Sequence, residues 1–320
     1  SGTMSAESRS CINNSLKRNE HFHIAIVELC TDVQFHGFLM EYYLSCEELV
    51  SYIMGFISEY LLCSRSSLVD CGTELLDYSS TERLFVHTAC SLLHQTSQQL
   101  KLLSIIAPFL TKKEFAGLAL PVMLRSSPTQ LHLVQSIFLQ FLGRGNSNSP
   151  RLTAGEVFLH LSLEPVFEEN LTSVSQCIEA LIKLRQPSLE NGEYILDNDA
   201  IVANFKKLFD MRPRPVIMMR SLIQCLSIHP ELLQWALTKF LSEIVRTKPW
   251  ETDPSTWKGV VKIIVKYFPE SIHLMIQLPK EILLSLLETY PNVKQGVSQI
   301  VLDQSQQNQE LHHLKDWLHL

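Results

Sequence analysis

The side chains best suited to chemistry in this chain are basic, and they gather in its second half. Lys206, Lys207, Arg212, Arg214 and Arg220 crowd around a proline turn, and Lys258, Lys262 and Lys266 recur at the spacing of one helical stripe. A guanidinium grips a carboxylate or a phosphate through two parallel hydrogen bonds. Arg212 and Arg220 are therefore the first candidates for holding an anionic partner, with Arg214 beside them. Pro213 and Pro215 remove two backbone donors and stiffen the loop that carries the arginines. A stiff loop loses less entropy on binding. Trp250 and Trp257 flank the next proline-containing turn, where they suit either a core anchor or an interface hot spot. The plainer alternative for the lysines is a solvated helix face.

No residues are spaced for catalysis. There is no GxSxG, HExxH or P-loop, and no nucleophile has a recognisable partner pattern. The expectation is a chain that is not an enzyme and carries neither cofactor nor metal. The eight cysteines contain no CxxC pair, so reduced core thiols fit better than zinc ligands or disulfides. The twelve histidines are scattered, and the adjacent pair His312 and His313 points in different directions on any helix. A net charge of −6 supplies no general attraction to nucleic acid, so an RNA contact would have to be local. No apolar run approaches the roughly 20 residues of a membrane span.

The elements that must position these groups read as helices. Between Asp210 and Val293, short apolar segments are separated by prolines at 213, 215, 230, 249, 254, 269, 279 and 291. Met218, Leu222, Cys225 and Leu226, then Leu233, Leu237, Phe240 and Leu241, fall at helical spacing. Proline fits the first turn of a helix and not its interior, so each marks a stop and a restart. Upstream, Ser45 to Glu48, Ser79 to Glu82 and Thr153 to Glu156 have the form of capping boxes. Pro108, Pro121 and Pro128 punctuate shorter pieces. The resulting expectation is an all-α, irregular HEAT- or armadillo-like solenoid of antiparallel helix pairs.

Its divisions read as follows: a disordered lead with a tag scar at 1–20, helical repeats over 21–143, a flexible loop at 144–151, further repeats over 152–302, and a polar linker with a short helix at 303–320. The segment 21–45 carries both strand-like and helix-like spacing, and the helical context favours helix.

Several short motifs in the second half occur in a telling order. MMRSLIQ (218–224), LTKFLSEIV (237–245), KPW (248–250), PSTWKG (254–259) and IQLP (276–279) resemble the C-terminal region of the symplekin/Pta family, and LTAGEV (152–157) extends the similarity upstream. RPRP (212–215) departs from that pattern, where a more apolar lead-in is usual. The resemblance implies a non-catalytic, nuclear, protein-binding scaffold of mRNA 3′-end cleavage and polyadenylation, serving histone pre-mRNA as well. It also implies partners. These are the metallo-β-lactamase-type endonuclease subunit of the cleavage and polyadenylation specificity factor, its inactive paralogue and, further, the cleavage stimulation factor. The residues expected to meet a partner are Arg212, Arg214, Arg220, Trp250, Trp257, Lys258, Lys262 and Lys266. Two other readings stay open: an RNA-binding repeat using the basic cluster 206–220, and an adaptor solenoid that grips short peptides.

Overall fold

Prolines set the joints of the second half. In a computed structural model, Pro249, Pro254 and Pro291 each occupy the first position of a helix, and Pro230 opens a 3-10 turn. The structure describes residues 99–125, 130–143, 152–164, 170–185 and 193–304, with isolated helical positions between Met54 and Leu93 and at Lys315 and Trp317. The expected lead 1–20, the segment 21–45, the capping boxes at Ser45 and Ser79, the loop 144–151 and nearly all of the tail beyond 304 lie outside the described residues. Among the described residues the fold is all-α. Their one β feature is an isolated bridge between Arg185 and Tyr194.

The chain divides into two units, 1–153 and 154–320. In the first, α1 (Gln99–Ile106) packs on α4 (Leu131–Gly143), and α2 (Lys112–Glu114) passes through a π turn at Phe115–Ala119 into α3 (Leu120–Arg125). Thr111 and Glu114 form a capping box that the sequence reading did not pick out. Phe115 stacks on Phe141 with ring centroids 3.8 Å apart. Pro121, expected to end a helix, instead lies inside one. The wide π turn just before it redirects the carbonyls that a proline ring would otherwise strike.

The second unit alternates two helix layers. One holds α5 (Ala154–Leu163), α7 (Asn198–Asp210), and α9 (Leu233–Trp235) continued by a π turn at Ala236–Phe240 into α10 (Leu241–Arg246). The other holds α6 (Leu171–Ile182), α8 (Met218–Ile228) and α12 (Pro254–Lys266). A one-turn helix α11 (Pro249–Thr252) joins α10 to α12. Beyond them follow α13 (Ile272–Met275), α14 (Lys280–Thr289) and α15 (Pro291–Gln304).

Side chains bridge each helix to its neighbour in the same layer. Asn204 Nδ2 on α7 donates to the Gly155 carbonyl on α5 at 2.9 Å, a separation of 49 residues. In the other layer, Gln224 Nε2 on α8 donates to the Ser175 carbonyl on α6 at 3.0 Å, also across 49 residues. Further on, the bridges shorten to 39 residues between Lys266 and Ser227 and to 35 between Gln277 and Ser242. The repeat is real and irregular, so no fixed period is visible in the sequence.

An aromatic ladder runs through the first layer. Phe158 meets Phe205, and Phe205 meets Phe240, each edge to face at 5.6 Å. Such pairs add about 0.5–1.5 kcal/mol beyond the area they bury. The apolar stripe of α8 is buried as its spacing requires, at Met218, Leu222, Cys225 and Leu226. In the following segment Leu237, Phe240 and Leu241 are buried, while Leu233 is half-buried.

Candidate docking faces

Helix α8 and helix α12 lie side by side and run parallel. At one end Gly259 is pressed so close to Met219 that an added Cβ would stand 2.4 Å from the Met219 Cβ. At the other end Lys266 Nζ donates to the Ser227 hydroxyl at 2.7 Å. Both helices point their apolar stripes inward, which leaves their polar stripes on the outer surface. Arg220, two turns before Ser227 on α8, is exposed, as are Lys258, Lys262 and Lys266 on α12. Neither helix carries an acidic residue. Four cations therefore share one outer face without a carboxylate of their own helices to neutralise them.

The proline turn between α7 and α8 is arranged differently from the expectation of two outward-reaching arginines. Arg212 is exposed, but its guanidinium donates to the carbonyls of Phe209 and Met211 at 2.6 and 2.7 Å. It serves the C-terminal end of α7, where carbonyls otherwise lack donors. Arg214 turns inward, and its side chain keeps only 6% of its exposure. It lies over the Phe209 ring at 4.7 Å, donates to the Thr247 hydroxyl at 3.3 Å and faces Asp253 at 3.9 Å. Burial and the neighbouring Arg212 lower its pKa, and Asp253 opposes them. Arg214 thus clips α7, the end of α10 and the start of α12 together.

Asp253 also caps α12, accepting from the Thr256 backbone at 3.0 Å and from its hydroxyl at 2.6 Å. Trp250 and Trp257, half-buried, meet edge to face at 5.6 Å across this joint. Lys248, just before Pro249, holds φ at 52°, in the left-handed region.

A groove on the opposite layer, between α7 and the α9–α10 segment, was not singled out from the sequence. It encloses about 420 Å³ and is lined by Val202, Lys206, Trp235, Thr238, Lys239, Ser242, Glu243 and Arg246. Trp235 stacks on Phe240 at 5.3 Å, which fixes one wall. The sequence signal was present as Trp235, Lys239, Glu243 and Arg246 on one helical face, but the π turn that aims them leaves no mark in the residue pattern.

Near the start of α9, Glu231 accepts from Asn198 at 2.9 Å and lies 3.3 Å from His229 Nδ1. The hydrogen bond from Asn198 leads in holding the Glu231 carboxyl below its ordinary pKa, with its own backbone and His229 assisting. The His229 ring packs against Tyr194, 4.3 Å between centroids. Burial pushes the Cys177 thiol up to about 12 and raises Cys225 as well, and neither forms a disulfide. Among the described residues, no group of three His, Cys, Asp or Glu side chains is placed to hold a metal ion, and no helix is long and apolar enough to cross a membrane.

Comparison with known families finds a match to the family described as symplekin tight junction protein C terminal, over residues 99–290. The match begins well ahead of the motifs that first suggested it and takes in both described units. No solved structure matches the chain.

Proposed function

The chain belongs to the symplekin C-terminal family, and from that premise we propose that it is a non-catalytic docking scaffold of the mRNA 3′-end processing machinery. The observation that carries this reading is the α8–α12 face, where Arg220, Lys258, Lys262 and Lys266 stand exposed on two parallel helices without an acidic residue. A partner surface rich in carboxylates would complement it, and the apolar parts of Trp250 and Trp257 at its edge offer desolvated contact. Arg212 borders the face, and Arg214 supports it from beneath. The partners in this reading are the metallo-β-lactamase-type endonuclease subunit of the cleavage and polyadenylation specificity factor and its inactive paralogue, with the cleavage stimulation factor as a further contact. The nuclease chemistry belongs to the partner. The site of action is the nucleus, in polyadenylation and in histone pre-mRNA cleavage.

Coexpression of the chain with the paired C-terminal domains of those two subunits tests the reading by size-exclusion chromatography. A complex that persists at moderate salt and is lost in Arg220→Glu/Lys258→Glu/Lys262→Glu supports docking on this face. A complex indifferent to the substitutions moves docking elsewhere, and no complex removes the partner assignment. RNA binding is the second reading, since the same cations could meet phosphates. It requires affinity for RNA alone that falls steeply with salt.

A further inference from the structure

The groove between α7 and the α9–α10 segment faces away from the α8–α12 surface and has its own chemistry. Lys206, Lys239 and Arg246 line it, and among the described residues none of the three makes an ion pair. Elsewhere on this unit, cations near carboxylates find them, as Lys183 does with Glu179 and Arg214 with Asp253. Trp235, Val202 and Phe240 supply an apolar wall beside the charges. The α9–α10 segment reaches this groove through a π turn, Ala236–Phe240. Such turns recur at functional sites because they re-aim the side chains that follow.

We propose that this groove is a second binding site, taking an extended acidic peptide segment whose two carboxylates meet Lys239 and Arg246 and whose apolar side chains, ahead of the first acid, seat against Trp235. The spacing sets the form of the ligand. Lys239 and Arg246 are separated by two helical turns, roughly 10 Å along the axis at about 1.5 Å per residue. A peptide in the extended polyproline-II conformation covers that length in about three residues at roughly 3.1 Å each and, with three residues per turn, returns its first and fourth side chains to one face. Glu243 lies between the two cations on the same helical face, so the residues between the ligand's acids must not themselves be acidic. Two acids separated by two uncharged residues satisfy both conditions, with the apolar pair ahead of the first acid because Trp235 lies one turn beyond Lys239 on the side away from Arg246.

The same carboxylate argues against a nucleic-acid strand. A phosphate backbone carries charge at every residue and would bring one phosphate against Glu243. With a volume near 420 Å³, the groove falls within the range of about 300–1,000 Å³ typical of ligand sites, enough for one or two large side chains.

The test uses a fluorescein-labelled octapeptide, Gly-Leu-Phe-Glu-Ala-Ala-Glu-Gly, titrated with the full chain and read by fluorescence anisotropy. Saturable binding is expected. It should weaken about tenfold or more, equivalent to about 1.4 kcal/mol or more, in Lys239→Glu/Arg246→Glu. Glu243→Gln should tighten it, because the carboxylate nearest the peptide is neutralised. Replacing both glutamates of the peptide by glutamine, or its Leu-Phe pair by alanines, should abolish saturation. Arg220→Glu/Lys258→Glu/Lys262→Glu should leave it unchanged, which separates this site from the docking face. The inference is overturned by a peptide that does not saturate, by groove substitutions that leave its affinity alone, or by a decauridine probe that binds the groove in preference to the peptide. Far-UV circular dichroism of each variant verifies that the exposed substitutions leave the helices intact.

Discussion

Replacing Gly259 with alanine should reverse the usual sign of that substitution. In an open helix interior, alanine in place of glycine gains about 1 kcal/mol, because glycine has more conformational freedom to lose. At Gly259 the new methyl would stand 2.4 Å from Met219 Cβ and 2.8 Å from its Cγ. Carbon atoms pack at about 3.5–4.0 Å, and a Cβ cannot rotate away from its own backbone. Relief therefore requires α8 and α12 to separate by roughly 1 Å. That loosens a packed layer containing Leu222, Val260 and Ile263, all fully buried. Overpacking of this kind costs about 1–3 kcal/mol. After the gain in helix propensity, the expected net loss is about 1–2 kcal/mol.

All four tryptophans, at 235, 250, 257 and 317, belong to the second unit, so urea unfolding followed by tryptophan fluorescence reads this unit selectively. Gly117→Ala supplies the contrast, because a Cβ there meets nothing within 4 Å. It should be neutral or stabilising by up to about 1 kcal/mol, read by far-UV circular dichroism. A Gly259→Ala chain as stable as the parent, or more stable, would refute the close parallel packing on which the basic face depends.

Asp253→Ala removes the cap of α12 and the partner of Arg214, and should lower the stability of the second unit by about 1–2 kcal/mol in the same assay. Lys248→Gly relieves a left-handed residue at the end of α10 and should raise stability by about 1 kcal/mol. Cys177 and Cys225 should stay unreactive toward a disulfide reagent at pH 8 until the chain unfolds, since at a pKa of about 12 only roughly one Cys177 in ten thousand is thiolate. The lowered pKa of Glu231 means that its contribution is present above its ordinary value of 4.5 and is lost as pH falls through the folded value. Because Glu231 is exposed, that contribution is at most about 1 kcal/mol. Glu231→Gln should flatten the acid limb of a stability profile by no more than that.

Helical character and its joints were legible in the residues themselves. Spacing fixes which side of α8 is buried, and proline states where α11, α12 and α15 begin, because both effects act within a turn or two of the chain. The lysine stripe at 258, 262 and 266 was legible for the same reason. The order of the short motifs also carried the family. Other features depended on residues far apart in sequence. Arg214 turned inward because the end of α7 brought it against Thr247 and Asp253, which no local pattern couples. Pro121 stayed within a helix because a π turn preceded it. The repeat itself was legible as recurrent helix pairs, but its period was not, because the separation falls from 49 to 35 residues and only the bridges from Asn204, Gln224 and Gln277 reveal it. The groove at Trp235 and Arg246 likewise needed α7 laid beside α10. Local sterics and hydrophobic spacing are written in the sequence by position. Which helix faces meet is decided by packing across tens of residues, and only the tertiary structure records that choice.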